Sequence, residues 1–488
     1  MASCSPALWN VIVLGVGFLL LFSAYNTIQG YSSTLLGTLG ETSLALLYAT
    51  VAASVLLAPW AVGAIGPKRG LIIGAVAYVA YMLALVTGVP GIILAGSVVI
   101  GLGSAALWVA FGLISNANAA QDDAFGQYLG YFWACLQMSN VLGNLATFLV
   151  LARVKPGPAL FGGFAVAGAA GTCVLLLLRP VAALGAPAPA GDDAVGADGR
   201  AALLFEDEAR ADASPSPSGL GSTSLTEACR LAVAALRAVA DRRLLPLLPL
   251  FFLTGAELAF WNGSLPLLAR PDRVGLVLVA VGTADVIGGA IFGWLGDVLG
   301  RATVMVAGCV LVAGGCGACL AIATAGAPAS GVAALGPAWG DVPAVVWGAA
   351  VLFGLGDAAL NTQAYAVLGD LFERRDGAEA DREGSVLANT VFQLFNNVGS
   401  AAGFYAAIPL PLVVDVGAAP ADSSQPHAFR LGTVALAATI IGLAAVSAIG
   451  SCCVPGAARG RWCGKRRESA GAINRRLDWD GGSDTMSV

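Results

Sequence analysis

Three acidic residues, Glu257, Asp285 and Asp357, each stand near the middle of an apolar run, and no Lys or Arg lies within those runs to neutralise them. Insertion scales put an ionised Asp at the centre of a spanning helix at ~2.5–3.5 kcal/mol, so three facing lipid would forfeit roughly 8–10 kcal/mol. Such groups are expected to face an aqueous cavity or to be protonated. The side-chain amides of Gln137, Asn140, Asn361, Gln363, Gln393 and Asn396 lie in the same or neighbouring runs and can line that cavity. Acids and amides without bases suit a proton or small cation and repel an anion. The competing account of each acid is an interhelical hydrogen bond that only packs helices. With a single histidine, no nucleophile–base pair and no metal-ligand spacing, the chain is not expected to be an enzyme, and no metal or cofactor is implied.

The elements that hold these residues follow from composition. Of 488 residues, 57% are apolar, 64 are glycine and only 11% are charged, and the mean hydropathy is +0.80. A soluble domain carries roughly 25% charge, so soluble enzymes, disordered chains and nucleic-acid binders are poor fits. A spanning helix needs ~20 apolar residues, and runs of that length recur from end to end. They fall near Trp9–Gln29, Leu44–Ile65, Leu71–Val86, Ile92–Ile114, Gly126–Leu151, Ala159–Leu178, Leu245–Leu267, Val274–Leu295, Thr303–Ala325, Pro343–Val367, Val386–Pro411 and Leu431–Cys453. Backbone amides cannot go unpaired in lipid, so these are helices. The expected fold class is an all-α polytopic membrane protein with twelve transmembrane helices, its partner being the lipid bilayer of a plasma membrane or endomembrane. With the N-terminus inside, 20 of the 25 basic residues fall on the inner side and five outside, which places both termini in the cytosol.

The chain repeats itself. Gly101-Leu-Gly-Ser104-Ala-Ala-Leu107 in the fourth span returns as Gly354-Leu-Gly-Asp357-Ala-Ala-Leu360 in the tenth. Gln137, Asn140 and Gly143 in the fifth return at identical spacing as Gln393, Asn396 and Gly399 in the eleventh. Both matches indicate two six-helix pseudo-repeats, the build of transporters whose halves meet around a site near the midplane. The repeat sets Ser104 against Asp357, and the pair is expected to face each other across the cavity. The domain reading is a six-helix bundle over 1–180 and a cytoplasmic loop over 181–241. A second bundle over 242–453 and a cytoplasmic tail over 454–488 complete it. The loop is rich in Ala, Gly, Pro and Ser and cannot bury a core. It ends in a capping box, Ser224-Leu-Thr-Glu227, that opens a short amphipathic helix along the inner membrane surface. Cys316 and Cys319 read as small packing residues in an apolar helix, and Asn262-Gly-Ser264 is a glycosylation sequon close to the membrane.

Between the eighth and ninth spans lies Gly293-Trp-Leu-Gly-Asp297-Val-Leu-Gly300-Arg301. It resembles the G-x-L-x-D-x-x-G-R loop of the major facilitator superfamily, in which the glycines let two helices turn and pack closely. Asp297 and Arg301 can then form ionic contacts that break when the halves rock. The equivalent loop between the second and third spans keeps Gly66-Pro67-Lys68-Arg69 but has Gly63 where the acid would align.

At finer grain the chain resembles the uncoordinated-93 (Unc-93-like) branch of that superfamily. The similar stretches are Asn10-Val11, Gly17 through Tyr25, Gln29, Gly101-Leu-Gly with Leu107-Trp108, Gln127-Tyr128, Gln137, and Gly143-Asn144-Leu145. They continue with Asp285, Gly300-Arg301, Gly354 through Asp357, Thr362-Gln363 and Leu371-Phe372-Glu373. The resemblance implies the major facilitator fold, and two classes of activity. One is an alternating-access transporter coupled to a proton or small cation. The other is a non-transporting regulatory or trafficking partner of an ion channel or membrane receptor.

Overall fold

The computed structural model describes residues 5–121, 125–153, 157–179, 225–269, 273–324, 338–339, 342–372, 382–408 and 427–454. Helix α1 (Pro6–Leu36) opens where Ser5 Oγ accepts the Leu8 N–H at 3.0 Å and Pro6 occupies the first turn, which needs no N–H. The second expected span is broken into α2 (Thr38–Ser54) and α3 (Ala58–Ile65), bent by 73°. Pro59 accounts for the break, since it offers no N–H to the carbonyl of Val55 and its ring crowds that carbonyl. Helices α4 (Pro67–Thr87), α5 (Pro90–Gln121), α6 (Phe125–Leu151) and α7 (Pro158–Leu175) complete the first set.

Helix α8 (Leu225–Ala238) packs on α3 and exposes Val233 and Leu236. Its cap residue Ser224, most of the 181–241 loop and nearly all of the 454–488 tail lie outside the described residues. The second set comprises α9 (Leu248–Ala259), α10 (Val274–Leu299), α11 (Arg301–Thr324), α12 (Ala344–Phe372), α13 (Arg382–Ala407) and α14 (His427–Cys452). A two-residue antiparallel pair, β1 (Ala338–Trp339) with β2 (Val342–Pro343), precedes α12 and was not expected from the sequence. Among the described residues, ten helices are long and apolar enough to span a membrane, and the α2–α3 pair makes an eleventh if it is one span. The remaining expected span, the eleventh in order, is α13, whose interior polar side chains, among them Gln393, Asn396 and Asn397, lower its hydropathy below the other spans.

Past α9 the chain departs from α-helical register. Residues Phe260–Ser264 form a π turn, in which the Leu265 N–H reaches back to the Phe260 carbonyl. Pro266 has no N–H for the Asn262 carbonyl, which favours the wider turn. The chain then closes in a 3₁₀ turn, Leu265–Leu268. Asn262 and Ser264 are buried there, so the sequon is sealed inside the protein.

Among the described residues two large apolar cores form, one around Phe18, Tyr78, Tyr81 and Phe132, the other around Phe251, Phe353, Phe392 and Ile440, with a small third cluster of Ala7, Val11 and Tyr128. The repeated glycines do the same work in each. A Cβ at Gly143 would strike the Ser23 carbonyl of α1, and one at Gly399 the Phe252 carbonyl of α9. One at Gly101 would meet Leu47 and Thr50 of α2, and one at Gly354 would meet Val281 and Ala284 of α10. The internal repeat is therefore first a repeat of helix packing. Along the seam between the two sets, α2 lies on α13, α6 on α10, and α1 on the π turn.

Candidate functional site

The three acids come together. Glu257 on α9, Asp285 on α10 and Asp357 on α12 are all buried, and each lies within electrostatic reach of the other two. Asn361, one turn along α12, donates to Asp357 Oδ1 at 2.9 Å. Gln137 of α6 donates through Nε2 to Asp285 Oδ2, a bond that crosses the seam. Neither oxygen of Glu257 receives a hydrogen bond from a fixed donor, while the Asp357 carboxyl lies close enough to share a proton with it. Among the described residues no Lys or Arg enters this cluster. Three carboxyl groups in one dry place repel each other unless a proton or a cation sits among them. Thiols of Cys309 and Cys316 on α11 border Glu257, and Cys316 and Cys319 are buried as expected of packing residues.

The other expected site residues divide into separate groups. Ser104 is hydrogen-bonded to the Tyr78 hydroxyl on α4 at 3.0 Å, inside the first bundle. Its hydroxyl is thus held within its own bundle, while the Asp357 carboxyl is held by Asn361 and lies close to Glu257. Gln393 donates to the Tyr365 hydroxyl at 3.1 Å, and Tyr365 contacts Trp133 of α6 across the seam with ring centroids 5.7 Å apart. Asn396 donates to Thr254 Oγ1 at 2.9 Å and clasps α13 to α9. Asn140 packs its Cβ against Gly282 of α10, where an added Cβ would stand 3.0 Å away.

Gln363 belongs to neither cluster but to the loop that joins α10 to α11. It donates to the Phe292 carbonyl at 2.9 Å and lies against Gly296, which leaves no room for a side chain. Gly300 adopts φ 96°, a left-handed conformation that glycine alone takes without strain. The close approach belongs to Gly296, since a Cβ on Gly293 would meet nothing within 4 Å, contrary to the expectation for that residue. Arg301 bonds Asp297 Oδ1 at 2.7 Å and Asp370 Oδ2 of α12 at 3.3 Å. Asp370 was not anticipated: it lies near the end of the tenth span, where an acid reads as an ordinary solvated residue. Glu41 was missed as well. Its position just ahead of the expected second span suggested a loop, whereas α2 begins at Thr38 and buries it.

Residues 34–419 match the family described as "Ion channel regulatory protein UNC-93". The chain is 27% identical over 432 residues to "UNC93-like protein MFSD11" of Xenopus tropicalis, covering 82% of this chain and 90% of that protein. It is 29% identical over 396 residues to "Protein unc-93 homolog A" of Bos taurus, covering 76% and 82%. Among solved structures, the nucleoside transporter NupG aligns over 91% of this chain and 99% of its own, with a TM-score of 0.57 and 13% identity. A POT family transporter holding a thioalcohol-conjugated peptide aligns over 91% and 96%, with a TM-score of 0.61 and 14% identity. At such identities the structural likeness establishes the fold, an all-α polytopic one of major facilitator type. By the family match over most of its length, the chain belongs to the UNC-93 family.

Proposed function

We propose that this protein is an alternating-access carrier that couples movement of its two bundles to a proton or small cation held by Glu257, Asp285 and Asp357. The observation that carries this reading is the Gln137–Asp285 bond. It ties the acid cluster of one bundle to the facing bundle, so separating the halves changes the surroundings of the acids. The occupancy of the cluster then biases which arrangement is stable, through its different affinity in the two states. Both termini lie in the cytosol, and the loop bound by Arg301 closes the inner side. Uptake into proteoliposomes tests the reading: Asp357→Asn keeps size and hydrogen bonding, and flux should be lost with normal insertion. Unchanged flux would refute it.

A second reading rests on the family description, which names ion channel regulation. Here the bundles act as a scaffold for a channel, and the acids serve packing. Co-purification of a channel, altered channel current on co-expression and absence of flux would favour it.

A further inference from the structure

Glu41 lies outside the central cluster, in the first turn of α2 at the end of the molecule remote from the loop of Arg301. It is 3% exposed, and neither carboxylate oxygen has a hydrogen-bond partner. Across the seam it lies on the π turn after α9, where a Cβ on Gly263 would stand 3.0 Å from both of its oxygens. The glycine is thus what leaves room for the carboxyl. Other polar atoms at this end are also buried without partners, namely Ser33 Oγ of α1, Asn144 Oδ1 of α6, and Trp261 Nε1 and Ser264 Oγ of the π turn. The end is shut: Gly275 at the head of α10 lies against the Tyr31 hydroxyl and the Asn144 carbonyl.

The ionisable groups on the elements packed against α2 are few. Helix α1 has Tyr25 and Tyr31, α5 has none, and the α9 segment has Glu257 two turns away. Helix α13 has Tyr405, which is exposed, and Arg382 and Glu383 at its opposite end, α2 itself has Tyr48, and α4 has Tyr78 and Tyr81 with Lys68 and Arg69 at its far, inner end. No hydrogen bond joins Glu41 to Arg273 at the head of α10. Among the described residues no donor and no counter-charge meets Glu41, and an ionised carboxylate is not tolerated in such a place. In an open seam the same group meets water.

We infer that Glu41 is a second proton-binding site, separate from the central acids, which takes a proton from the outer solution when the outer seam closes and releases it when the seam opens. The inference rests on the alternating-access reading and places a proton step on the gate itself. The buried, partnerless atoms around it are groups that water satisfies in the open arrangement. Closure binds one proton more than opening does, so acid favours the closed seam and alkali the open one. A single proton limits the change in the open-to-closed ratio to about tenfold per pH unit.

The test measures distance across the seam in the full chain in lipid nanodiscs, with nitroxides at Thr38→Cys and Tyr405→Cys in a cysteine-substituted background. Both positions are exposed. The wild-type long-distance population should grow between about pH 5 and about pH 8 with up to that one-proton slope, whereas Glu41→Gln should hold the short distance throughout. Gly263→Ala, which crowds the carboxyl from across the seam, should raise the open share while keeping the slope. Two distances in a ratio indifferent to pH, or a wild-type slope in Glu41→Gln, would overturn the Glu41 site and leave the carrier reading standing. One distance at every pH, in wild type and Asp357→Asn alike, would overturn both. Should Glu41→Gln fail to insert, the wild-type and Gly263→Ala profiles still decide.

Discussion

The bond from Gln137 to Asp285 is the point at which the two bundles touch through the acid cluster, and its energy can be measured. Gln137→Leu leaves the buried Asp285 without its partner, a cost of about 1–3 kcal/mol, and Asp285→Leu leaves the half-buried Gln137 without its own, a cost at or below the lower end of about 1–3 kcal/mol. The double substitution removes donor and acceptor together and replaces them with apolar groups of similar size, so it should cost less than the sum. The shortfall is the coupling energy, expected at about 1.5–3 kcal/mol for a charged acceptor and about 0.5–1.5 kcal/mol for a protonated one. A double-mutant cycle supplies it, using reversible denaturant unfolding of the four proteins in mixed micelles. Because a coupling of ~1.4 kcal/mol is tenfold in an equilibrium constant, the cycle also bounds how strongly the cluster biases the halves. Additivity within about 0.3–0.5 kcal/mol would refute the contact, and with it the reasoning that the acids respond to bundle separation.

Four further outcomes follow from local geometry. Gly300→Ala forces a side chain onto a φ of 96°, and should cost about 1–2 kcal/mol in the same unfolding assay. Asp297→Asn should destabilise by at most about 1 kcal/mol, because the pair is partly exposed and Arg301 keeps Asp370. Arg301→Ala frees both acids and should change cysteine accessibility at the inner face more than either acid substitution does. Between α8 and α9, the Arg243 guanidinium and backbone N–H hold the Asp241 carboxyl below the usual carboxylate range. The folded value is lower than the unfolded one, so this contribution is present at neutral pH and is lost as pH falls through the folded value. Hydrogen exchange of this junction should therefore rise in acid in wild type and be insensitive to it in Asp241→Asn.

Much of the fold was legible because lipid makes strict demands. Apolar length fixed the spans, and the paired glycine motifs marked the sites where α5 and α12, and α6 and α13, approach their neighbours closely. The same motifs carry different chemistry in the two bundles: Ser104 and Asp357 share a register position, but the hydroxyl pairs with a tyrosine of its own bundle and the carboxyl with Asn361. The acid cluster was legible as three unneutralised charges in apolar runs. Glu41 was not, because it stands ahead of the apolar run that begins at Leu44, where an acid reads as a loop residue, and only the seam shows that it is covered. The π turn was likewise out of reach, since Pro266 signals a break without saying which carbonyl goes unpaired.

The central claim is that the buried acids bind the coupling proton or cation. Flux in proteoliposomes across a series of external pH values, wild type beside Asp357→Asn, tests it most directly. The account predicts a pH-dependent wild-type flux, with flux and pH dependence both lost in Asp357→Asn despite normal insertion. Asp357→Asn with the flux and the pH profile of wild type would contradict it.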